Sequence, residues 1–367
     1  RTGLSRHDNL WIRTPFSRED IIRRIGFVPL AKPFRQEYQY QNIMFLTAGE
    51  LAAKAAGLSW DDFMKQRFFE PLAMKRTTTR HAEAVAQSDR AMPHRKSRGG
   101  AVESFEWINY DNVGAAGAIN SSARDLANWV RLQLAGGQFE GRRLISERNL
   151  RETWEPHMVQ RLTAENRALN PGVTQQTYAL GWNLIHYQGR LIISHSGVLS
   201  GFRARITLVP ERKLGIVLLA NLNSTDAPEA LNYALLDEFL DLPSRRDWNQ
   251  HLTAERARLD ARDAQERAAR EARRVRDTKP SRELTHYAGI FEHRAYGPVT
   301  VTATSDGLTL EWAGFRPRLE HYHFDTFRTT GANAPFAGEL ATFVLNAQAE
   351  VPSLRFLNVE FQRVKKP

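Results

Sequence analysis

The sequence predicts an α+β protein: a helical region beside an antiparallel sheet with packed helices, followed by a small C-terminal antiparallel β-barrel. Three observations carry this expectation. Apolar residues recur three and four apart through the first half, the texture changes near Tyr178 to short β-like runs separated by tight turns, and a second all-β pattern begins beyond Pro280. At 367 residues the chain is longer than one ordinary domain. We place the boundaries at 1–247 (helical part about 19–172, sheet part about 178–240), a charged helical linker at 248–280 and a β-domain at 281–367.

In the helical part, Leu51-Ala-Ala-Lys-Ala-Ala, Trp60 to Phe69 and Ala123 to Leu132 show the helical period. Ser59 is a good N-cap for the second, which stops near Pro71, and Ser122 with Asp125 forms a capping box for the third, closed by Gly136 and Gly137. The β-like runs are Tyr178 to Tyr187, Arg190 to Ser194, Phe202 to Val209 and Leu214 to Ala220, and their short connections imply antiparallel pairing. A helix from Pro228 to Leu240 follows, with Leu231, Leu235, Leu236 and Phe239 as its apolar stripe. The linker carries opposite charges at Asp263/Arg267 and Glu266/Arg270, the mark of a solvated helix. Val299 to Ala303, Leu308 to Trp312 and Ala341 to Leu345 alternate as strands of the β-domain.

Composition narrows the chemistry. With no cysteine, a disulfide framework, a thiolate metal site and a cysteine nucleophile are excluded. The net charge of +10 arises from nine lysines and 42 arginines scattered among acids, and no nucleic-acid-binding motif, Walker loop or dinucleotide loop accompanies it, so no nucleic-acid partner is expected. No apolar run is long enough for a membrane span. His321-Tyr-His323 has no third ligand at a supporting spacing, so neither a metal nor any other cofactor is expected.

Two short constellations bear on function: Tyr40-Gln41-Asn42 before a helix, and His195-Ser196-Gly197 at the end of a β run. Each has a plain alternative. The first is also what a ring-packed tyrosine followed by an asparagine cap would look like, and the second is also a strand end entering a turn.

Their order and surroundings resemble the serine β-lactamase and penicillin-binding-protein-like hydrolases, which use Ser-x-x-Lys, then Ser/Tyr-x-Asn, then Lys/His-x-Gly. The stretches Arg1-Thr-Gly-Leu-Ser-Arg-His-Asp, Phe69-Glu-Pro-Leu-Ala-Met-Lys-Arg-Thr, Gly117-Ala-Ile-Asn-Ser-Ser-Ala-Arg-Asp-Leu-Ala and His195-Ser-Gly-Val-Leu-Ser-Gly-Phe add to the resemblance. The C-terminal part looks like the lipocalin-like β-domain appended to many of these hydrolases. The resemblance implies a DD-peptidase/β-lactamase-like fold and acyl transfer on a small-molecule or peptide substrate. Tyr40 would be the base, Asn42 would orient groups, and His195 would help as a pH-dependent cation. Ser196, Gly197 and Val198 would line the substrate or oxyanion site. Separately, Arg203 and Arg205 are two apart on the next β run and so on one face, where they would be an anion anchor.

No Ser-x-x-Lys occurs between Arg1 and Pro367. The family places it upstream of the Arg-Thr-Gly-Leu stretch, so the expectation is an N-terminally incomplete hydrolase, inactive alone, whose partner is the segment carrying that motif. The resemblance alone suggests a periplasmic or secreted setting. A binding module of the same fold that holds peptides or cell-wall fragments is the alternative, and a ligand-carrying β-domain with a helical appendage is a third reading.

Overall fold

The computed structural model describes residues 1–97, 99–242, 246–331 and 336–364. The chain forms two compact units, Arg1–Arg6 with Leu30–Ala261, and His7–Pro29 with Arg262–Pro367. In chain order the helices are α1 (Arg18–Ile25), α2 (Asn42–Ala55), α3 (Trp60–Met64), α4 (His81–Val85), α5 (Ala123–Leu134), α6 (Glu147–Glu152), α7 (Ala164–Leu169), α8 (Ala227–Phe239) and α9 (Trp248–Ala272). Two short hairpins, β1 (His94–Lys96) with β2 (Val102–Ser104) and β3 (Gln138–Phe139) with β4 (Arg142–Arg143), lie among them.

The sheet of the first unit comprises β5 (Met158–Val159), β6 (Val173–Tyr178), β7 (Asn183–Tyr187), β8 (Arg190–Leu199), β9 (Phe202–Val209) and β10 (Leu214–Ala220). Its order is β10-β9-β8-β7-β6-β5 and the pairings are antiparallel. The run expected from Tyr178 to Tyr187 is in fact the end of β6, a turn and β7. The reason is that Gly181 takes a left-handed φ of 88° and breaks the run.

The two faces of this sheet bury different partners. On one, Ile185, Tyr187, Ile192, Val209 and Ile216 pack with Tyr233 and Leu236 of α8 and with Trp248 and Leu252 at the start of α9. On the other, Leu184, Ile193 and Leu208 pack with Trp182 and with Val130 of α5. Helix α5 begins at the expected cap, the Ser122 side chain accepting from the Asp125 N–H at 3.2 Å, but the Asp125 carboxylate accepts from the Arg76 N–H and the Thr77 hydroxyl instead of completing the capping box. The helix from Trp60 is shorter than its pattern suggests, because its last turn widens into a π turn at Lys65–Phe69. The stripe expected on α8 is corrected as well. Leu231 and Phe239 are 49% and 53% exposed, and Ala230, Tyr233 and Leu236 fill the buried positions instead. A tyrosine whose hydroxyl stays near polar neighbours competed successfully with leucine for that face.

In the second unit, β11 (Gly289–His293), β12 (Gly297–Thr304), β13 (Gly307–Glu311), β14 (Arg318–His323), β15 (Thr326–Thr330), β16 (Leu340–Val344), β17 (Ser353–Phe356) and β18 (Val359–Arg363) close into a barrel. Buried and exposed side chains alternate along β12 and β13, and Tyr287, Phe291, Trp312, Phe327, Phe343, Phe356 and Phe361 are buried in this unit. The segment His7–Pro29 belongs here: His7 Nδ1 lies 2.8 Å from the Tyr296 hydroxyl, and Arg24 donates to the Ala295 carbonyl at 3.1 Å. On the linker helix the ion pairs are redistributed, Arg262 rather than Arg267 or Arg270 meeting Asp263 and Glu266. Among the described residues no helix is long and apolar enough to cross a membrane.

Candidate active site

Tyr40 stands two residues before α2. The N-cap is Gln41, whose side chain accepts from the Ile43 N–H at 3.0 Å and donates to the Ser5 carbonyl. Asn42 is therefore not the cap; it is the first residue of α2 and is buried. The same hydrogen bonds tie the N-terminal stretch to the start of α2. That stretch is itself held by the Gly3 carbonyl, which accepts from Ala31 and Lys32 at 2.9 and 3.1 Å. Gly3 has φ +81°, and a Cβ there would lie 2.1 Å from the Lys32 carbonyl oxygen, so the stretch closes this tightly only with glycine.

His195 lies inside β8, which continues to Leu199, beyond the Arg190 to Ser194 run expected from sequence. Strand β7 ends opposite Ser194, so from His195 to Leu199 the described residues pair β8 with β9 alone. The turn at Ser200 and Gly201 closes on Leu199 and Phe202. Alternation of the antiparallel ladder then points the N–H groups of Ser196 and Val198 away from β9, along the unpaired edge. A Cβ on Gly197 would meet only Ala204, at 3.8 Å, so its face is open space. Tyr110 donates to Ser200 Oγ at 2.7 Å and Trp107 packs edge-on against Phe202, which fixes the end of the hairpin.

An aromatic cluster joins the two motifs. The Tyr40 and His195 rings are 6.3 Å apart between centroids, and both lie 6.1 Å from Tyr178. The Tyr178 hydroxyl is 3.1 Å from His195 Nε2, and Tyr38 packs on Tyr178 at 5.3 Å. Burial raises the Tyr178 hydroxyl far above its usual range, so it stays a phenol. Burial pushes Tyr38 up to about 12. Burial lowers His195; a hydrogen bond to the Ser196 backbone works against this, and Arg205 adds to the lowering. Burial thus drives the imidazole toward its neutral form, against the positive charge expected of it. The guanidinium of Arg6 lies 5.2 Å from the centre of the Tyr40 ring.

Arg203 and Arg205 are not brought to this face. Pairing of Val198 with Arg203 and Ser196 with Arg205 puts both arginines on the side opposite His195. There Arg203 donates to the Asn223 carbonyl at 2.6 Å and lies 3.8 Å from Asp226, while Arg205 pairs with Glu229 and donates to Ser194 Oγ at 3.0 Å. The carboxylates that open α8 have recruited them, so Arg203, expected as an anion anchor, is not brought together with Tyr40 and His195. Sequence reasoning also missed Tyr38, Tyr178 and Arg6. Arg6 sits in the Arg1-Thr-Gly-Leu-Ser-Arg-His-Asp stretch, whose pattern marks the resemblance but no role for Arg6; the two tyrosines carry no local signal. In the barrel, His321 Nε2 bonds the Phe324 carbonyl at 2.9 Å.

The chain belongs to the Beta-lactamase family, which matches residues 1–240, and residues 273–366 match a family described as a domain of unknown function (DUF3471). An unguisins hydrolase of Aspergillus violaceofuscus is 28% identical over 331 residues, covering 84% of this chain and 58% of that protein. Protein flp of Staphylococcus aureus strain MW2 is 26% identical over 216 residues, covering 58% of this chain and 39% of that protein. The chain thus spans less than two thirds of the length of these curated relatives. Among solved structures, a penicillin-binding protein homologue from Pyrococcus abyssi superposes with a TM-score of 0.57 at 17% identity, covering 98% of this chain and 75% of that one. A D-amino acid amidase from Ochrobactrum anthropi superposes with a TM-score of 0.51 at 18% identity, covering 66% and 68%. The fold is therefore that of the β-lactamases and penicillin-binding proteins, with a closed eight-stranded antiparallel C-terminal barrel, and homologues of the chain are hydrolases.

Proposed function

We propose that the protein is a serine hydrolase that works through an acyl-enzyme on esters, D-amino-acid peptides or β-lactam-like amides, with its nucleophile on a Ser-x-x-Lys segment upstream of Arg1. One observation carries this reading: Tyr40 and His195, far apart in sequence, share one aromatic cluster beside an unpaired strand edge. The hydrolase named among its relatives supports the reaction type.

In this reading the Tyr40 phenolate takes the proton of the serine hydroxyl as the serine oxygen bonds the substrate carbonyl. The oxyanion is held by the Val198 N–H together with the serine's own N–H. Tyr40 then returns the proton to the leaving oxygen or nitrogen as its bond to carbon breaks, and water releases the acyl group by the same steps. Asn42 positions the lysine and the substrate amide through both ends of its side chain. Gly197 leaves room for the substrate backbone, and His195, neutral and bonded by Tyr178, shapes the wall above it. With His195 driven neutral and Arg203 on the far face, esters and uncharged amides fit better than substrates that need a carboxylate anchor.

The test is hydrolysis of p-nitrophenyl esters, D-amino-acid p-nitroanilides and a chromogenic cephalosporin. Protein that includes the Ser-x-x-Lys segment is expected to turn over at least one of them. Residues 1–367 alone are expected to turn over none, and Tyr40→Phe in the longer protein is expected to cost about 10²–10⁴-fold. Turnover that survives Tyr40→Phe overturns the assignment, and ligand binding without turnover in the longer protein favours a binding module of the same fold.

A further inference from the structure

A tyrosine acts as a base only where its environment favours the phenolate, since the free group titrates near 10. The groups facing Tyr40 include Arg6 from the N-terminal stretch, Tyr38 from its own segment, Tyr178 from β6 and His195 from β8. Tyr38 and Tyr178 are both raised, chiefly by burial, so they stay neutral and bring no charge to Tyr40. Burial drives His195 toward its neutral form. Arg6 is permanently charged, with its guanidinium 5.2 Å from the ring centre.

We propose that Arg6 is a positioning residue that lowers the pKa of Tyr40, supplying from the N-terminal stretch a fixed positive charge for its phenolate. The proposal rests on the serine-hydrolase reading only in the use to which the phenolate is put. Its geometry is built rather than incidental. Ser5, the neighbouring residue, is tied through its carbonyl to Gln41, the residue after Tyr40, and Gly3 locks the stretch to Ala31 and Lys32. The backbone that carries Arg6 is therefore held beside the segment that carries Tyr40. A unit charge at this distance, partly screened because Arg6 is exposed, displaces a pKa by about one pH unit. The phenolate fraction at neutral pH is then about tenfold larger than it would be without Arg6.

The experiment is a ¹³C NMR titration of the full-length protein labelled at tyrosine Cζ, with Tyr40→Phe identifying the Tyr40 signal. Arg6→Gln is expected to raise the Tyr40 pKa by about one unit, and Arg6→Lys, which keeps the charge but loses the flat stacking group, by less. Circular dichroism checks the fold of each variant. A Tyr40 pKa within about 0.2 units of the parent in folded Arg6→Gln overturns the proposal. Should Arg6→Gln not fold, the parent protein decides: going from low salt to 1 M sodium chloride is expected to raise the Tyr40 pKa, because the Arg6 charge is screened, and no rise overturns the proposal. A shifted Tyr40 pKa in a protein that hydrolyses nothing would sustain the role of Arg6 and sink the hydrolase reading alone.

Discussion

The two faces of the β8–β9 hairpin use similar residue types for opposite ends. On one, His195 meets Tyr178 and Tyr40 beside an open strand edge. On the other, Ser194, Thr207 and Asn232 form a continuous hydrogen-bonded chain, and Arg205 is paired with Glu229. The second face closes each polar group against a partner and covers it with α8. Deeper along it, Asp237 accepts from the Tyr187 hydroxyl and from Trp248 Nε1, the latter at 2.6 Å. The first face leaves the Ser196 and Val198 N–H groups without a strand partner among the described residues. A residue's parity along the strand thus decides whether it is structural or available for chemistry, and Arg203 and His195 fall on opposite sides of that division.

The largest effect expected from breaking this contrast is at Asp237. Asp237→Ala removes the acceptor of two buried donors and should cost about 3 kcal/mol in urea unfolding. Tyr40 should titrate unchanged, since Asp237 lies on the α8 side of the sheet and its bonds run to Tyr187 and Trp248. A loss under about 1 kcal/mol would mean that the closed face is less closed than its hydrogen bonds indicate.

Next in size is Tyr178→Phe, which acts on the open face. The hydroxyl lies 3.1 Å from His195 Nε2, and donation to that nitrogen favours neutral imidazole. Removing it should raise the His195 pKa toward the ordinary value by up to about one unit, read from imidazole carbon shifts. A fall instead would show that Nε2 carries the proton and Tyr178 accepts it. The sign for stability follows. Because burial lowers His195, the unfolded chain binds more protons between the depressed pKa and the ordinary one, and stability drops as pH falls through that window. His7 and His293 in the barrel unit, also lowered chiefly by burial, add in the same direction. The urea midpoint should therefore decline from pH 7 to 5, and less steeply in Tyr178→Phe.

The smallest effect belongs to Arg203→Ala. Its partners are the Asn223 carbonyl and Asp226, and Asp226 keeps a two-pronged bond to Arg256 at 2.8 Å. Stability should change by less than about 1 kcal/mol, and KM for any substrate should move less than about twofold. A tenfold rise in KM would return Arg203 to the substrate side.

The sequence by itself determined the order of elements, the antiparallel sheet, the β-domain and the two motifs, because these are written in local periods, caps and turns: Ser122 before α5, the paired runs of β9 and β10, the alternation in β12. It did not determine which side each residue serves. Asn42 looked like a cap until Gln41 took the place, Leu231 and Phe239 looked buried until Tyr233 filled their face, and Arg203 looked like an anchor until its pairing with Val198 turned it toward α8. Nor did it join Arg6 and Tyr178 to Tyr40, or take His7–Pro29 into the unit of the barrel. Register and the meeting of distant segments are set by the summed burial of whole faces, a quantity that no short window of sequence contains.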